Sequence, residues 1–388
     1  WYRSVCIWCI LAACACATCE IRAQVPADYK QRYGTLVGKS GASLFSALES
    51  ISAVGYTSHS YRDLWSFFAT TDVTPEGYIW DMYSSCRFVL YSDQCGSYSS
   101  VCSCYNREHS LPKSWFGGSD SNAPGTDPFH LCPTDGKVNN QRGNNAFGEC
   151  AQGGKVGDKA LGKLGASTFP GFSVSGSVFE PDDMYKGDFA RGYFGMIVRY
   201  GTSYAFNQAD GGVVMFSNSG KNISAANHFG LTDYSVALLM KWTRQDPVSP
   251  KETNRNNGIQ QTQGNRNPFI DCPVLAEYLW GNKAGEAVTS ADLLACGCVD
   301  TVYSAVELVP EENVSRLASV SLTPVENGFT LSCLPDGAQV LLFDLTGTLQ
   351  WREKADNAEM TFMQPAGFYL VVLAVPGETR AIKVQLNK

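Results

Sequence analysis

The sequence predicts an α+β protein in two parts, a helix-rich body followed by a small all-β sandwich. Three observations lead there. "GASLFSALESI" sets Leu44, Leu48 and Ile51 on one helical face, and "YRDLWSFFATTD" repeats that spacing. "MYKGDFARGYFGMIVRYG" (184–201) reads as a helix entered through Pro181 and Asp182 and closed by Gly201. From about Leu317 the pattern changes to short β-type runs between turns: "GFTLSCL", "AQVLLFDLTG", "GFYLVVLAV" and "RAIKVQLN".

The elements follow in order. Residues 28–68 carry the first helical patterns, and 87–130 are loop-rich, broken by Gly, Ser and Pro. "YSVALLMKWTRQDP" (234–247) is a helix ended by Pro247, and another is expected over 250–262. Residues 283–316 read as a connector with some local structure. The expected division is therefore an export signal (1–23), a body (24–282), a linker (283–316) and a sandwich (317–388).

Composition limits the function classes. With 44% hydrophobic and 12% aromatic residues, a real core forms and disorder is not the default. The net charge of −7 argues against a generally basic nucleic-acid binder. Residues 283–388, however, hold 7 Lys+Arg against 13 Asp+Glu, so most of the acidity sits in the tail. A local basic groove upstream is not excluded.

Arg3, the apolar stretch "VCIWCILAACACA" and Ala23 read as an export signal cleaved near Gln24. "LAAC" (11–14) also resembles a lipobox, which would instead anchor the chain through Cys14. No later run is long and apolar enough to span a bilayer. Ten cysteines follow the leader. An even number in an exported chain points to disulfides, with zinc at Cys95, Cys102 and Cys104 as the alternative.

Three stretches carry candidate chemistry. "CYNREHSLPKSWFGG" (104–118) sets Glu108 beside His109, in a chain with only four histidines. Taken alone, such a pair is a solvated loop feature. "DPFHLCPTDGKVNNQRGNNAFGEC" (127–150) is dense in asparagine, whose carbonyl oxygen is a neutral hard ligand suited to Mg²⁺. The alternative is a surface loop using Asn for turns. In "RNNGIQQTQGNRNPFID" (255–271), Arg266 and nearby amides could contact phosphate, or Gly264 and Pro268 mark a helix exit.

Together these stretches resemble the endonuclease I family of exported bacterial nucleases, of the His-Me finger (ββα-metal) group. The resemblance covers roughly Tyr29 to Gly281. It rests on "NREHSLPKSWFGG", "FHLCPTDGKVNNQRGN", "VFEPDDMYKGDFAR" and "IQQTQGNRNPFID", in the family's order. It implies a ββα-metal core with His109 as general base and Glu108 and Asn139 as metal ligands. Arg142 and Asn144 match the family's "R-x-N". The implied cofactor is Mg²⁺, with Mn²⁺ or Ca²⁺ as alternatives. The implied reaction is phosphodiester hydrolysis by a His-activated water with one metal ion. Related members carry a phosphate-holding arginine between the histidine and the asparagine. None occurs from 110 to 141 here, so Lys113 and Arg142 are the candidate substitutes. His130 is a further candidate phosphate donor, with a structural role as the alternative. His59 and His228 have no motif context.

The expected substrate is DNA, with RNA as a second candidate, bound mainly through the phosphate backbone by a monomer. A surface DNA-binding or adhesion protein with an inactive nuclease core is the competing class. Residues 317–388 resemble the C-terminal sorting domain that Bacteroidetes-type bacteria use in export, on "LFDLTGTLQW" and "PAGFYLVVLAV…AIKVQLN". That resemblance implies secretion machinery as a partner. The implied address is outside the cell or on its outer surface, reached through the periplasm.

Overall fold

A computed structural model describes residues 25–209, 211–218, 221–301, 317, 319–325, 327–344, 348–375 and 378–386. The expected export signal, with Cys14, and residues 302–316 of the expected linker lie outside the described residues. The chain divides into two compact units, 1–306 and 307–388. The architecture is mixed helix and strand, with an all-β region at the C-terminal end.

In the first unit, helices α1 (Ala27–Gly34), α2 (Gly41–Ser52) and α3 (Leu64–Thr71) come first. Ser40 and Ser43 form a capping box that starts α2, and Leu44, Leu48 and Ile51 are buried on its inner face. A hairpin of β1 (Tyr105–His109) and β2 (Leu131–Asp135) runs directly into α4 (Gly136–Arg142). A second, smaller hairpin joins β3 (Lys163–Ala166) to β4 (Ser177–Glu180).

The central element is α5 (Lys186–Tyr200), which is buried on nearly every face and packs against α2. Helices α6 (Gly212–Met215), α7 (Asp233–Gln245), α8 (Pro250–Thr262), α9 (Pro268–Asp271) and α10 (Val274–Trp280) complete the surroundings of α5. The starts and ends expected for α5, α7 and α8 agree with the structure to within two residues.

Helix α8 is polar in sequence yet largely buried. Its charges are neutralised by partners rather than by water. Glu252 takes a two-point contact from Arg191 of α5 at 2.7 and 2.5 Å. Lys251 reaches Asp188 at 2.6 Å, and Arg255 reaches Asp72 at 2.9 Å. Arg255 also donates to the carbonyls of Pro128 and Leu131, so α8 fixes the start of β2.

The linker expected from residue 283 begins later. Helix α11 (Ser290–Ala295) packs onto the first unit, where Val288, Leu293 and Val299 are buried in the core. A Cys272–Cys298 disulfide ties this segment to the body. Two more disulfides, Cys86–Cys102 and Cys95–Cys104, brace the loop before β1. All three cysteines of the zinc alternative are thereby consumed. Cys132 and Cys150 are buried thiols, so the even count does not translate into complete pairing.

The second unit holds two antiparallel sheets, one ordered β11–β10–β7–β8 and one ordered β5–β6–β9. The strands are β5 (Ser321–Val325), β6 (Gly328–Ser332), β7 (Gln339–Asp344), β8 (Leu349–Lys354), β9 (Glu359–Met363), β10 (Gly367–Val375) and β11 (Glu378–Leu386). The sheets face each other: Trp351 on β8 meets the ring of Phe362 on β9 edge-on, with centroids 4.1 Å apart. Phe329, Val340, Leu342, Val371 and Leu373 fill the space between them. Among the described residues, no helix is long and apolar enough to cross a membrane.

Candidate active site

The site is built on the ββα finger. Strand β1 carries Tyr105, Asn106, Arg107, Glu108 and His109 in sequence. Alternation along a strand sends Asn106 and Glu108 to one face and Arg107 and His109 to the other. Helix α4 lies against the first face. Asn139 Nδ2 donates to Asn106 Oδ1 at 2.8 Å, and one turn later Arg142 Nη1 lies 3.3 Å from Glu108 Oε1. Glu108 and Asn139 thus belong to the same strand–helix seam, each held by a contact across it. Tyr83 also donates to Glu108 Oε1, at 2.9 Å.

The start of α4 is fixed by the last residue of β2, which is itself held from outside the finger. Asp135 Oδ1 accepts from the amides of Lys137 and Val138, capping the helix. Its Oδ2 accepts from Cys102 N at 2.6 Å, which links the cap to the Cys86–Cys102 disulfide.

A divalent cation is the cofactor that the resemblance implies, and the residues fit it. Glu108 and Asn139 are hard oxygen donors of the kind Mg²⁺ takes. The amide nitrogen of Asn139 is committed to Asn106, which orients its carbonyl oxygen away from that contact. Tyr83 and Arg142 both meet Glu108 at Oε1, and the backbone of His109 gives the carboxylate a further hydrogen bond. Burial pushes the Glu108 carboxyl up to about 7, against the opposing pull of Arg142 and Tyr83. A second cation beside it would hold it ionised. The cluster Cys86, Cys102 and Asp135 has metal-like spacing, but its two sulfurs are joined in a disulfide.

On the other face, His109 Nε2 lies 3.0 Å from the carbonyl oxygen of Gly125. That contact requires a proton on Nε2 and leaves Nδ1 with its lone pair. Burial lowers the ring to about 4, so it is neutral at physiological pH. Tyr61 stacks on the imidazole with centroids 5.4 Å apart.

His130 sits behind it, with ring centroids 5.5 Å apart. Its Nε2 donates to Pro124 O at 2.6 Å, and its Nδ1 accepts from Leu111 N. Two consecutive carbonyls of the turn at Pro124–Thr126 thus hold two imidazoles in place. His130 is buried with both nitrogens occupied, so the expected phosphate contact is corrected to a structural one.

Two arginines are corrected in the same way. Arg142 is fully buried. Besides Glu108 it binds the carbonyls of His109 and Ser110, at 3.1 and 2.5 Å. It secures the end of β1 and has no route to a phosphate. Arg266 is buried against Asp271 in a two-point contact at 2.8 and 2.6 Å, with Asn257 and Gln260 taking its remaining nitrogen. It closes the exit of α8.

Lys113 is partly exposed and pairs with Asp120 at 3.1 Å; both charges act on His109. Asn144 is exposed and lines a polar pocket of about 480 Å³ with Asn145, Ser175 and Ser177. It makes no hydrogen bond to Glu108, His109 or Asn139. His59 packs on Phe67, and His228 pairs with Asp233 near the surface. Tyr83, Asn106, Tyr61 and Gly125 were not singled out from the sequence. Asn106 stands inside the quoted motif, while the other three carry no local signal.

Comparison with known proteins gives the family of the chain. The endonuclease I family profile matches residues 41–274. An extracellular ribonuclease of Bacillus amyloliquefaciens is 35% identical over 258 residues, 66% of this chain and 79% of the relative. An extracellular ribonuclease of Bacillus subtilis (strain 168) is 34% identical over 258 residues, 66% of this chain and 80% of the relative. A solved structure of PorZ, a surface component of the type IX secretion system of Porphyromonas gingivalis, shares 20% identity. It covers 20% of this chain and 13% of its own, with a TM-score of 0.19. With a profile match that spans the finger and every buried partner of its side chains, the chain belongs to the endonuclease I family and is a nuclease that hydrolyses phosphodiester bonds.

Proposed function

We propose that the protein is an exported, divalent-cation-dependent nuclease that cuts DNA and RNA with little sequence preference. One observation carries this reading: Asn139 of α4 is held, through Asn106, against the face of β1 that bears Glu108, and His109, neutral and fixed in one tautomer, ends the strand.

Glu108 and Asn139 would hold the cation. When bound, it supplies positive charge to a non-bridging phosphate oxygen and to the leaving oxygen. His109 Nδ1 accepts a proton from the attacking water. The water oxygen bonds to phosphorus as the bond from phosphorus to the 3′ oxygen breaks. The Gly125 carbonyl stabilises the imidazolium that forms, because it already accepts from Nε2–H. Tyr61 keeps the ring plane fixed.

Nothing in the finger resembles a helix or ribbon aimed at base edges, which supports backbone recognition. The printed names of the two Bacillus relatives support RNA as a substrate beside DNA, and an extracellular address. The disulfides are of the kind that persist outside the cytoplasm. The separate core of the second unit supports an independent β domain, and its resemblance to sorting domains is the ground for reading it as one recognised by secretion machinery.

The test is digestion of plasmid DNA and of a structureless RNA by the purified chain. Activity on both should stop with EDTA and return with Mg²⁺. Cleavage that persists in chelator overturns the cation requirement, and binding without cleavage would favour the adhesion reading.

A further inference from the structure

The arginines buried in the body are bound to acids. Arg142 faces Glu108, Arg191 faces Glu252, Arg255 faces Asp72 and Arg266 faces Asp271. Arg107 is different. It is half-buried beside His109, and no carboxylate lies within ion-pair distance of it among the described residues. Its guanidinium carbon lies 3.6 Å from the centroid of the Tyr61 ring and 4.4 Å from that of Trp65. Nη1 donates to Tyr61 O at 2.5 Å. That one bond and two ring faces hold the group, while Nε and Nη2 make no hydrogen bond among the described residues.

The location gives this cation a use. Arg107 and His109 share a face of β1, two residues apart. Tyr61 touches both, stacking on the imidazole at 5.4 Å and lying under the guanidinium. The carboxylate whose charge acts on Arg107 is Asp120, already paired with Lys113. An arginine held by its faces keeps its edge donors, and those donors match phosphate oxygens in a two-point contact. Partial burial without an acid costs solvation, which an incoming phosphate would offset.

We propose that Arg107 is a substrate-binding residue of the nuclease site, gripping a backbone phosphate next to the one that His109 serves, with Tyr61 and Trp65 as its clamp. The proposal rests on the reading of His109 given above. It assigns a cationic contact to the finger, which Arg142 and Arg266 cannot provide from their buried positions. It also gives a use to the Tyr61 ring, which lies against both His109 and Arg107.

The experiment measures binding of a short labelled duplex and of the matching single strand to the full chain in EDTA, from 50 to 300 mM salt. Arg107→Met, Arg107→Lys and His109→Ala are compared with the parent. Arg107→Met keeps the apolar stem between the rings and removes the charge. Its salt slope should fall by about 0.9 on duplex and about 0.7 on single strand, the loss of one phosphate contact. Binding at 50 mM salt should be weaker than the parent's, and that gap should narrow by about fivefold on duplex and about threefold on single strand as salt rises to 300 mM. With Mg²⁺ present, the loss should appear in KM as well as kcat.

Arg107→Lys should keep the slope and lose part of kcat, because a point charge cannot make the two-point contact. A parent-like slope and KM in Arg107→Met would overturn the proposal and make Arg107 a latch between β1 and the Tyr61 loop. Thermal unfolding of each variant is recorded. If Arg107→Met does not fold, Arg107→Lys decides: parent-like kcat and KM would overturn the proposal. His109→Ala isolates the reading beneath it. Parent-like cleavage there removes the general base but leaves the EDTA binding slopes interpretable.

Discussion

His109 Nε2 lies 3.0 Å from Gly125 O, and this pairing fixes which ring nitrogen is free to take a proton. The carbonyl is held from behind, since Gly125 N donates to Asn122 Oδ1 at 2.9 Å. A Cβ at position 125 would lie 2.3 Å from Ser119 O and 2.7 Å from Asn122 Oδ1. Gly125→Ala must therefore move the turn and its carbonyl. The expected outcome is a fall in kcat of about tenfold or more, on the scale of general-base catalysis, with KM nearly unchanged. Steady-state kinetics on RNA or DNA checks it, and an unchanged kcat would show that the carbonyl does not orient the ring.

The two titrating groups at the site move in opposite directions. The ring of His109, lowered by burial to about 4, stays neutral down to that pH. The carboxyl of Glu108, raised by burial to about 7, takes up a proton as pH falls through that value. Acidification from neutrality should thus remove the anionic cation ligand long before it removes the base. Proton and cation compete, so the acid limb of kcat/KM should shift to lower pH as Mg²⁺ rises, by about one unit per tenfold where the cation is limiting. Profiles at two Mg²⁺ concentrations test this. A limb that stays in place would assign it to another group.

Among the described residues, Arg142 is the single cation paired with buried Glu108, and it also holds two carbonyls at the end of β1. Arg142→Met should cost about 3–5 kcal/mol, as expected for removing one partner of a buried pair. Urea unfolding monitored by tryptophan fluorescence measures it. A loss below about 1 kcal/mol would mean that Glu108 is protonated in the folded parent and that the pair contributes little.

The two units have separate cores. Deleting residues 317–388 should leave kcat and KM on nucleic acid within about twofold, on the rule that distant sites behave independently. In a native host the shortened protein should accumulate in the periplasm. Lost catalysis in the purified protein would make the second unit part of the enzyme.

The sequence made much of this arrangement legible, and unevenly. Helices α5, α7 and α8 were readable because their ends are chemically marked, by Asp182 before α5, Pro247 after α7 and Pro250 at the start of α8. The finger was readable through its motif, since Glu108, His109 and Asn139 keep a recognisable order. The partners of those residues were hidden because they are distant in the chain. Tyr83 reaches Glu108 from 25 residues away, and Gly125 serves His109 through a backbone atom that no side-chain pattern reports. The arginines misled for a related reason. Charge in a sequence suggests a surface role, whereas Arg142 and Arg266 satisfy acids in the interior. The segment from 283 looked like a connector because its few apolar residues are scattered, yet the Cys272–Cys298 bond and Leu293 draw it into the core.

The most direct measurement is the single-turnover cleavage rate of His109→Ala against the parent, at saturating Mg²⁺ and neutral pH, with folding verified by thermal unfolding. The rate should drop by about 10²–10⁴-fold while binding in EDTA is retained, as loss of a general base requires. A folded His109→Ala protein that cleaves within about threefold of the parent would contradict the assignment of the proton acceptor.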